Sequence, residues 1–470
     1  MKTLLLVLLA LPALAFAQGA LTPPGAPAPS MKSLDQIEPR TTLGAVGTNT
    51  ATLTITQPGA YVLMGNVTVT AGNGITISAQ NVTLDLNGFT VSSTATPATG
   101  TGIFLPTGSN FTIRNGHIRG TSQVVNPSTF TVIGFQIGID ATVATNVRIE
   151  QVSVDAVADY GISLYDGSGV IESCSARYCG TTGLRASQVL DSIALKCGGT
   201  AIYAGTARDV NSTPVANGIA SNCTGESLDG GRGIFATTAT NCYGTSISGW
   251  GLDAQEATNC HGATKTGTRG LNVSSTATGC TGMIGPDGND LPGSVPSVPN
   301  AIALFAETAN NCTGTITLAG TNSCALQATV ANTCTGRVTA VDTGATGTSG
   351  LRANIAMNSL GNCPAGTGLF ASATATGCQG VSSSGIGLSA NGVATNCAGT
   401  SKSGLGLQAS SANTCFATTA SGLRALSVYG TASGCYGLHS GNGVAISAAI
   451  AIGCVAQQGT IVADNRYNMP

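Results

Sequence analysis

Charge is what this chain has least of. Its 470 residues include 18 basic and 20 acidic ones, a net charge of −2, and no basic cluster forms anywhere. That argues against nucleic acid as a partner, which would need a concentrated positive field. Aromatic residues make up 4%, with a single tryptophan. There are three histidines, His117, His261 and His439, and no Cys-x-x-Cys pair. We therefore expect no metal site and no cofactor. No run of about 18 apolar residues follows the N-terminal segment, so no membrane span is expected.

Glycine is abundant, at 65, yet 42% of residues are hydrophobic, and they are patterned rather than scattered. Disorder does not fit such a pattern. Residues 1–17 read as a secretory signal: Lys2, an apolar run over 4–11, and the small-x-small Ala15-Phe16-Ala17 before Gln18. They predict a secreted protein, extracellular or at the cell surface, with the periplasm as the other compartment. Residues 18–50 form a Pro-rich entry segment and N-terminal cap, with one or two helical turns expected over 31–38, stopped before Pro39.

From residue 51 the pattern has period two. Thr52-Leu53-Thr54-Ile55-Thr56, Ile75-Thr76-Ile77 and Val82-Thr83-Leu84-Asp85-Leu86 are short strands separated by turn residues. Leu84-Asp85, Ile113-Arg114, Ile149-Glu150, Ile171-Glu172 and Leu190-Asp191 align as equivalent positions of successive coils. Residues 51–200 thus form long, charged coils. Residues 201–463 form short coils rich in Gly, Ala and Cys, and 464–470 a C-terminal tail.

In the short coils the repeat is Gly-[Leu/Ile]-x-Ala, then Ala-[Thr/Asn]-[Asn/Gly]-Cys-x-Gly. A fixed period of this length marks a solenoid. The Leu and Ala two apart point inward, and the Asn or Gly before each Cys suits a left-handed corner. Asn222, Asn241, Asn259 and Asn362 are among these corner positions. Roughly 15 coils at about 4.8 Å each would give a rod of about 70 Å. The sixteen cysteines read mostly as free, stacked thiols. In-register neighbours stand at about the strand spacing, whereas a disulfide wants Cβ atoms about 3.8 Å apart. Cys174–Cys179 and Cys324–Cys334 are the pairs best placed to be exceptions.

This architecture resembles the right-handed parallel β-helix of the pectin-lyase-like superfamily. The residues that carry the resemblance are 74–77, Asn81-Val82-Thr83-Leu84-Asp85-Leu86-Asn87-Gly88 and Asn110-Phe111-Thr112-Ile113-Arg114-Asn115-Gly116. The entry segment and the ending Arg466-Tyr467-Asn468-Met469-Pro470 are similar to exported bacterial β-helix proteins. The resemblance implies an all-β, single right-handed solenoid with coils of about 18–29 residues. Hydrolases of this fold use clustered Asp pairs and a Gly-His-Gly segment, and this chain has neither. Lyases of the fold use an acidic calcium site and a basic proton acceptor, so calcium would matter only for a lyase.

Charge concentrates between residues 85 and 200. The alignment stacks Asp85, Arg114, Glu150, Glu172 and Asp191 in one outward column, and Arg119, Asp155, Arg177 and Lys196 in another. Alternating signs favour cross-coil ion pairs on a solvated face. If catalysis occurs, Glu150, Glu172, Asp191 and Arg177 are the candidates, since glycoside hydrolysis needs two carboxylates at a set separation. A glycan-binding strip would use Asp155, Asp159, Tyr160, Tyr165 and Tyr178. The favoured reading is an exported, non-catalytic β-helix with a structural, adhesive or surface-interaction role. The alternative is a polysaccharide lyase, a glycoside hydrolase or a glycan-binding protein. A polysaccharide or a cell-surface component is the expected partner.

Overall fold

A computed structural model describes residues 40–126, 129–164, 169–205, 218–285, 297–342 and 344–469. The expected helical turns at 31–38 lie outside these residues, as does Tyr165. Among the described residues every regular element is a strand. From Thr42 onward they belong to one compact unit.

One coil shows how the repeat folds. Leu252-Asp253-Ala254 makes a first face (A), Glu256-Ala257-Thr258 a second (B) and His261–Thr264 a third (C). Each segment pairs in parallel with its counterpart in the coil before and the coil after. Neighbouring coils are therefore joined by ladder bonds on three sides, and the chain is a parallel β-helix.

Face A carries one unbroken inward column: Leu53, Ile75, Ile103, Ile139, Ile162, Leu184, Ile202, Ile234, Leu252, Leu271, Leu304, Leu326, Leu351, Leu369, Leu388, Leu407, Leu426, Ile446 and Ile461. These are nineteen rungs, more than the roughly 15 expected at one strand spacing each. Only the end members, Leu53 and Ile461, are half-exposed, because each has a covering neighbour on one side alone. Burying a side chain of this size contributes about 1.5–3 kcal/mol, and each rung depends on its neighbours to be buried.

Face B turns alanine inward, from Ala220 through Ala239 and Ala257 to Ala451. The corner between B and C is left-handed, as expected. Asn222, Asn241, Asn259 and Asn396 have φ of 51–53°, and Thr333 and Thr414 adopt the same conformation. The cysteine after the corner points inward. Its thiol donates to the carbonyl two residues back and to an alanine carbonyl one coil earlier, as Cys242 does to Thr240 (3.2 Å) and Ala220 (3.4 Å). In Cys-x-Gly the glycine is needed for close approach. A Cβ at Gly336 would lie 2.1 Å from the Gly350 carbonyl oxygen.

All sixteen cysteines are free and buried, including the four named as disulfide candidates. Twelve of them form the corner column: Cys174, Cys223, Cys242, Cys260, Cys280, Cys312, Cys334, Cys378, Cys397, Cys415, Cys435 and Cys454. Cys179 and Cys197 belong instead to face C, where Cys197 pairs with Ser227. Asn362 is not a corner, contrary to expectation. The corner of that coil is Asn358 (φ 47°), Ser359 stands in the thiol position, and Cys363 falls further along face C. Residues 464–467 continue the last strand, Thr460–Tyr467, rather than forming a tail.

The 36-residue interval between Ile113 and Ile149 holds the projecting loop expected near residues 122–131. Val124–Asn126 and Thr129–Phe130 pair there as a small antiparallel sheet.

Candidate functional site

The long coils bring the first charged column together on face B. Ile113, Ile149 and Ile171 point inward at full burial, so strand alternation turns the next residue outward. Asp85, Arg114, Glu150 and Glu172 are successive register partners. Asp85 accepts the Asn87 N–H at 2.8 Å and the Asn115 amide at 3.2 Å, and lies 3.4 Å from Arg114 Nε. Arg148, two residues before Glu150 on the same side of its strand, donates to Glu150 and to Glu172 of the next coil. These bonds hold the guanidinium more firmly protonated than usual, the Glu150 bond most of all. The strip borders a shallow notch of about 450 Å³.

Asp191 does not join this column. Val189, not Leu190, is the buried partner of Ile171, so Leu190 pairs with Glu172 and Asp191 moves into the left-handed corner. There its carboxylate accepts the Asn222 amide at 2.8 Å and starts the asparagine ladder. Asp191 is thus a corner residue outside the Glu150–Glu172 column.

The second column shows the same one-residue slip. Arg119, Asp155 and Arg177 are in register on face C, but their next partner is Leu195. Lys196 sits in the corner, with Nζ 3.5 Å from the Tyr178 hydroxyl and 5.5 Å from its ring centroid. Arg119, Asp155 and Tyr178 line a notch of about 420 Å³ beside the projecting loop. Asp159 accepts the Thr181 hydroxyl at 2.5 Å, and burial pushes its carboxyl above the usual range. Tyr160 faces a different groove, so the proposed glycan residues divide between two places.

That second groove ends at Arg232 and Trp250, which belong to a ladder of side chains not singled out from the sequence. Arg185 lies 4.8 Å from the Tyr203 ring, and Tyr203 packs on Phe235 at 5.0 Å. Arg232 lies 4.9 Å from Phe235 and 5.3 Å from Trp250, and Arg269 lies 5.3 Å from Trp250 and 4.4 Å from Phe305. The result is a ladder of cations and rings running from coil to coil. Asp253 anchors it, 2.8 Å from Arg232 Nε and accepting the Asn272 amide at 2.7 Å. Burial pushes the Asp253 carboxyl up, and Asn272 and Arg232 oppose that shift. A sequence signal was present. Arg232, Trp250 and Arg269 each stand immediately before the Gly-[Leu/Ile] that opens three successive repeats.

The groove beside this ladder has a volume of about 540 Å³. It follows the turns that lead from face C to face A, with Tyr160 at one end and Arg232 and Trp250 at the other. Thr182 and Thr200 lie between them.

No protein-family model matches the sequence, and no curated protein matches it. Among solved structures, the crystal structure of Dettilon tailspike protein (gp208) aligns at 14% identity with a TM-score of 0.31. The alignment covers 66% of this chain and 59% of the tailspike, less than two thirds of that protein's length.

Proposed function

We propose that this protein is an exported, non-catalytic β-helix with a structural or surface-interaction role. In this reading Glu150 and Glu172 are the two ends of a cross-coil staple, not an acid and a nucleophile. The observation that carries it is Arg148, which donates to both carboxylates at once. Acid–base chemistry at a sugar needs two carboxyls in contrasting environments, one keeping its proton and one ionised. Here the two share one cation on one strip. Arg177, the other catalytic candidate, lies on face C next to Asp155 in the register, two columns away. The signal-like N-terminus supports export, and a polysaccharide or another cell-surface component is the partner we propose.

The test is a turnover screen on the full chain. Acidic and neutral polysaccharides are incubated with it, with and without calcium, and reducing ends and unsaturated products are followed. The proposal expects no product from any of them. Chain cleavage of any member of the panel, with or without calcium, would overturn it.

A further inference from the structure

Tyr160, Thr182, Thr200, Arg232 and Trp250 occupy the same turn position in five successive coils. The backbone bonds between coils fix this order: Gly161 N donates to Thr182 O, Leu184 N to Ala201 O, Ala201 N to Arg232 O, and Gly233 N to Trp250 O. Side-chain size along the column runs large, small, small, large, large. The two threonines therefore form a depression between an aromatic wall at one end and an arginine–tryptophan wall at the other. Four rung steps of about 4.8 Å place Tyr160 and Trp250 about 19 Å apart along the helix. The volume of this open groove, about 540 Å³, lies within the range of small-molecule sites, about 300–1,000 Å³.

The chemistry of the lining selects the ligand. Ser248 presents an exposed hydroxyl at the rim, and Thr181, also exposed, presents a hydroxyl oxygen whose proton goes to Asp159. Tyr160 presents a half-buried ring, whereas Trp250, also half-buried, is flanked by Arg232 and Arg269 and offers the groove its edge. The Arg232 guanidinium is committed to the Asp253 carboxylate and to the Phe235 and Trp250 rings. The groove thus offers hydroxyls and ring surface, with its cation already engaged inside the wall. A pyranose matches both: its C–H surface packs on an aromatic ring, and its hydroxyl edge exchanges hydrogen bonds with threonine and serine. The length of the groove suits several linked units lying along the helix axis.

We propose that this groove binds an uncharged oligosaccharide, held between the Tyr160 ring and the Arg232–Trp250 wall. The site extends the surface-interaction role by giving it a location and a ligand class, and it requires no bond to be made or broken.

Trp250 is the only tryptophan in the chain, so its fluorescence reports this groove directly. The full chain is titrated with cello-oligosaccharides and, separately, with oligogalacturonates. The expected result is a saturable fluorescence change with the neutral sugar, at least tenfold weaker in Tyr160→Ala and abolished in Ser248→Phe. The second variant fills the groove from its exposed rim and leaves Trp250 and the ladder in place. Circular dichroism on both variants confirms that they are folded. A titration without a saturable change overturns the site, as does binding unaffected by Ser248→Phe. Tighter binding of the oligogalacturonate overturns the ligand class. None of these outcomes touches the non-catalytic reading, which the turnover screen tests separately.

Discussion

Ser359 stands on the rung after Cys334 and takes a thiol's place. Its hydroxyl accepts the Cys334 N–H at 3.0 Å and donates to the Met357 carbonyl at 2.7 Å. Ser192 does the same beside Cys174, at 3.0 and 2.6 Å to the Cys174 N–H and the Leu190 carbonyl. What the corner position requires is a small side chain that donates to the carbonyl two residues back. The sulfur is one way to meet that requirement.

Cys397→Ser should therefore cost little, within about 1 kcal/mol, because the hydroxyl can take over the bond to Thr395. Cys397→Leu should cost about 1–3 kcal/mol, because the column has no room for further methylenes. Urea unfolding of the two variants checks the order. Equal midpoints would show that the column is looser than its burial indicates.

The thiols should also make the protein sensitive to alkali. Burial pushes Cys324 up to about 12 and Cys174 up to about 11, from an ordinary value of 9.0. Above pH 9 the unfolded chain releases these protons while the folded chain keeps them. Their contribution to stability is thus complete below about pH 9 and is lost as the pH rises toward 11 and 12. Unfolding free energy measured against pH should fall across that window. Cys324→Ser should reduce the slope of the fall. An identical slope in that variant would mean that the thiol does not control the loss.

The asparagine corners are the third point of test. Asn241 has φ 52°, donates to Asn222 at 3.1 Å and accepts from Asn259 at 3.4 Å. Asn241→Ala removes both bonds and leaves in the left-handed region a residue that lacks the short polar side chain by which asparagine tolerates it, a loss of roughly 1–2 kcal/mol. Asn241→Gly removes the bonds but relieves the backbone, so it should be the milder change. Thermal unfolding of the pair separates the two terms. A glycine variant less stable than the alanine variant would contradict the corner assignment.

The periodic features of the fold were legible in the sequence. The Leu/Ile column, the Asn corner and Cys-x-Gly each recur because every coil meets the same neighbour in the same way. Errors arose where a residue type imitated a pattern it did not belong to. Leu190 looks like a core residue, but Val189 is the one buried, and that single slip carried Asp191 into the wrong column. Asn362-Cys363 imitates the corner pair, while the true corner, Asn358-Ser359, lacks the cysteine that marks most of the others. The groove went unseen for a different reason. Tyr160 and Trp250 are 90 positions apart in the sequence, and only the stacking of five coils puts them in one column. Arg148 was also missed, because the alignment followed the residue after each inward isoleucine, and Arg148 precedes Ile149.

The central claim is that Glu150 and Glu172 staple coils together. The most direct measurement combines unfolding and polysaccharide turnover for Glu150→Gln, Glu172→Gln and Arg148→Gln. Exposed pairs of this kind contribute about 0.2–1 kcal/mol each. The account predicts that Glu150→Gln and Glu172→Gln each lose a small amount of stability and Arg148→Gln about their sum, and that neither the parent protein nor any variant turns over substrate. Turnover by the parent protein, abolished in Glu150→Gln or Glu172→Gln with unfolding unchanged, would contradict it and make the pair catalytic.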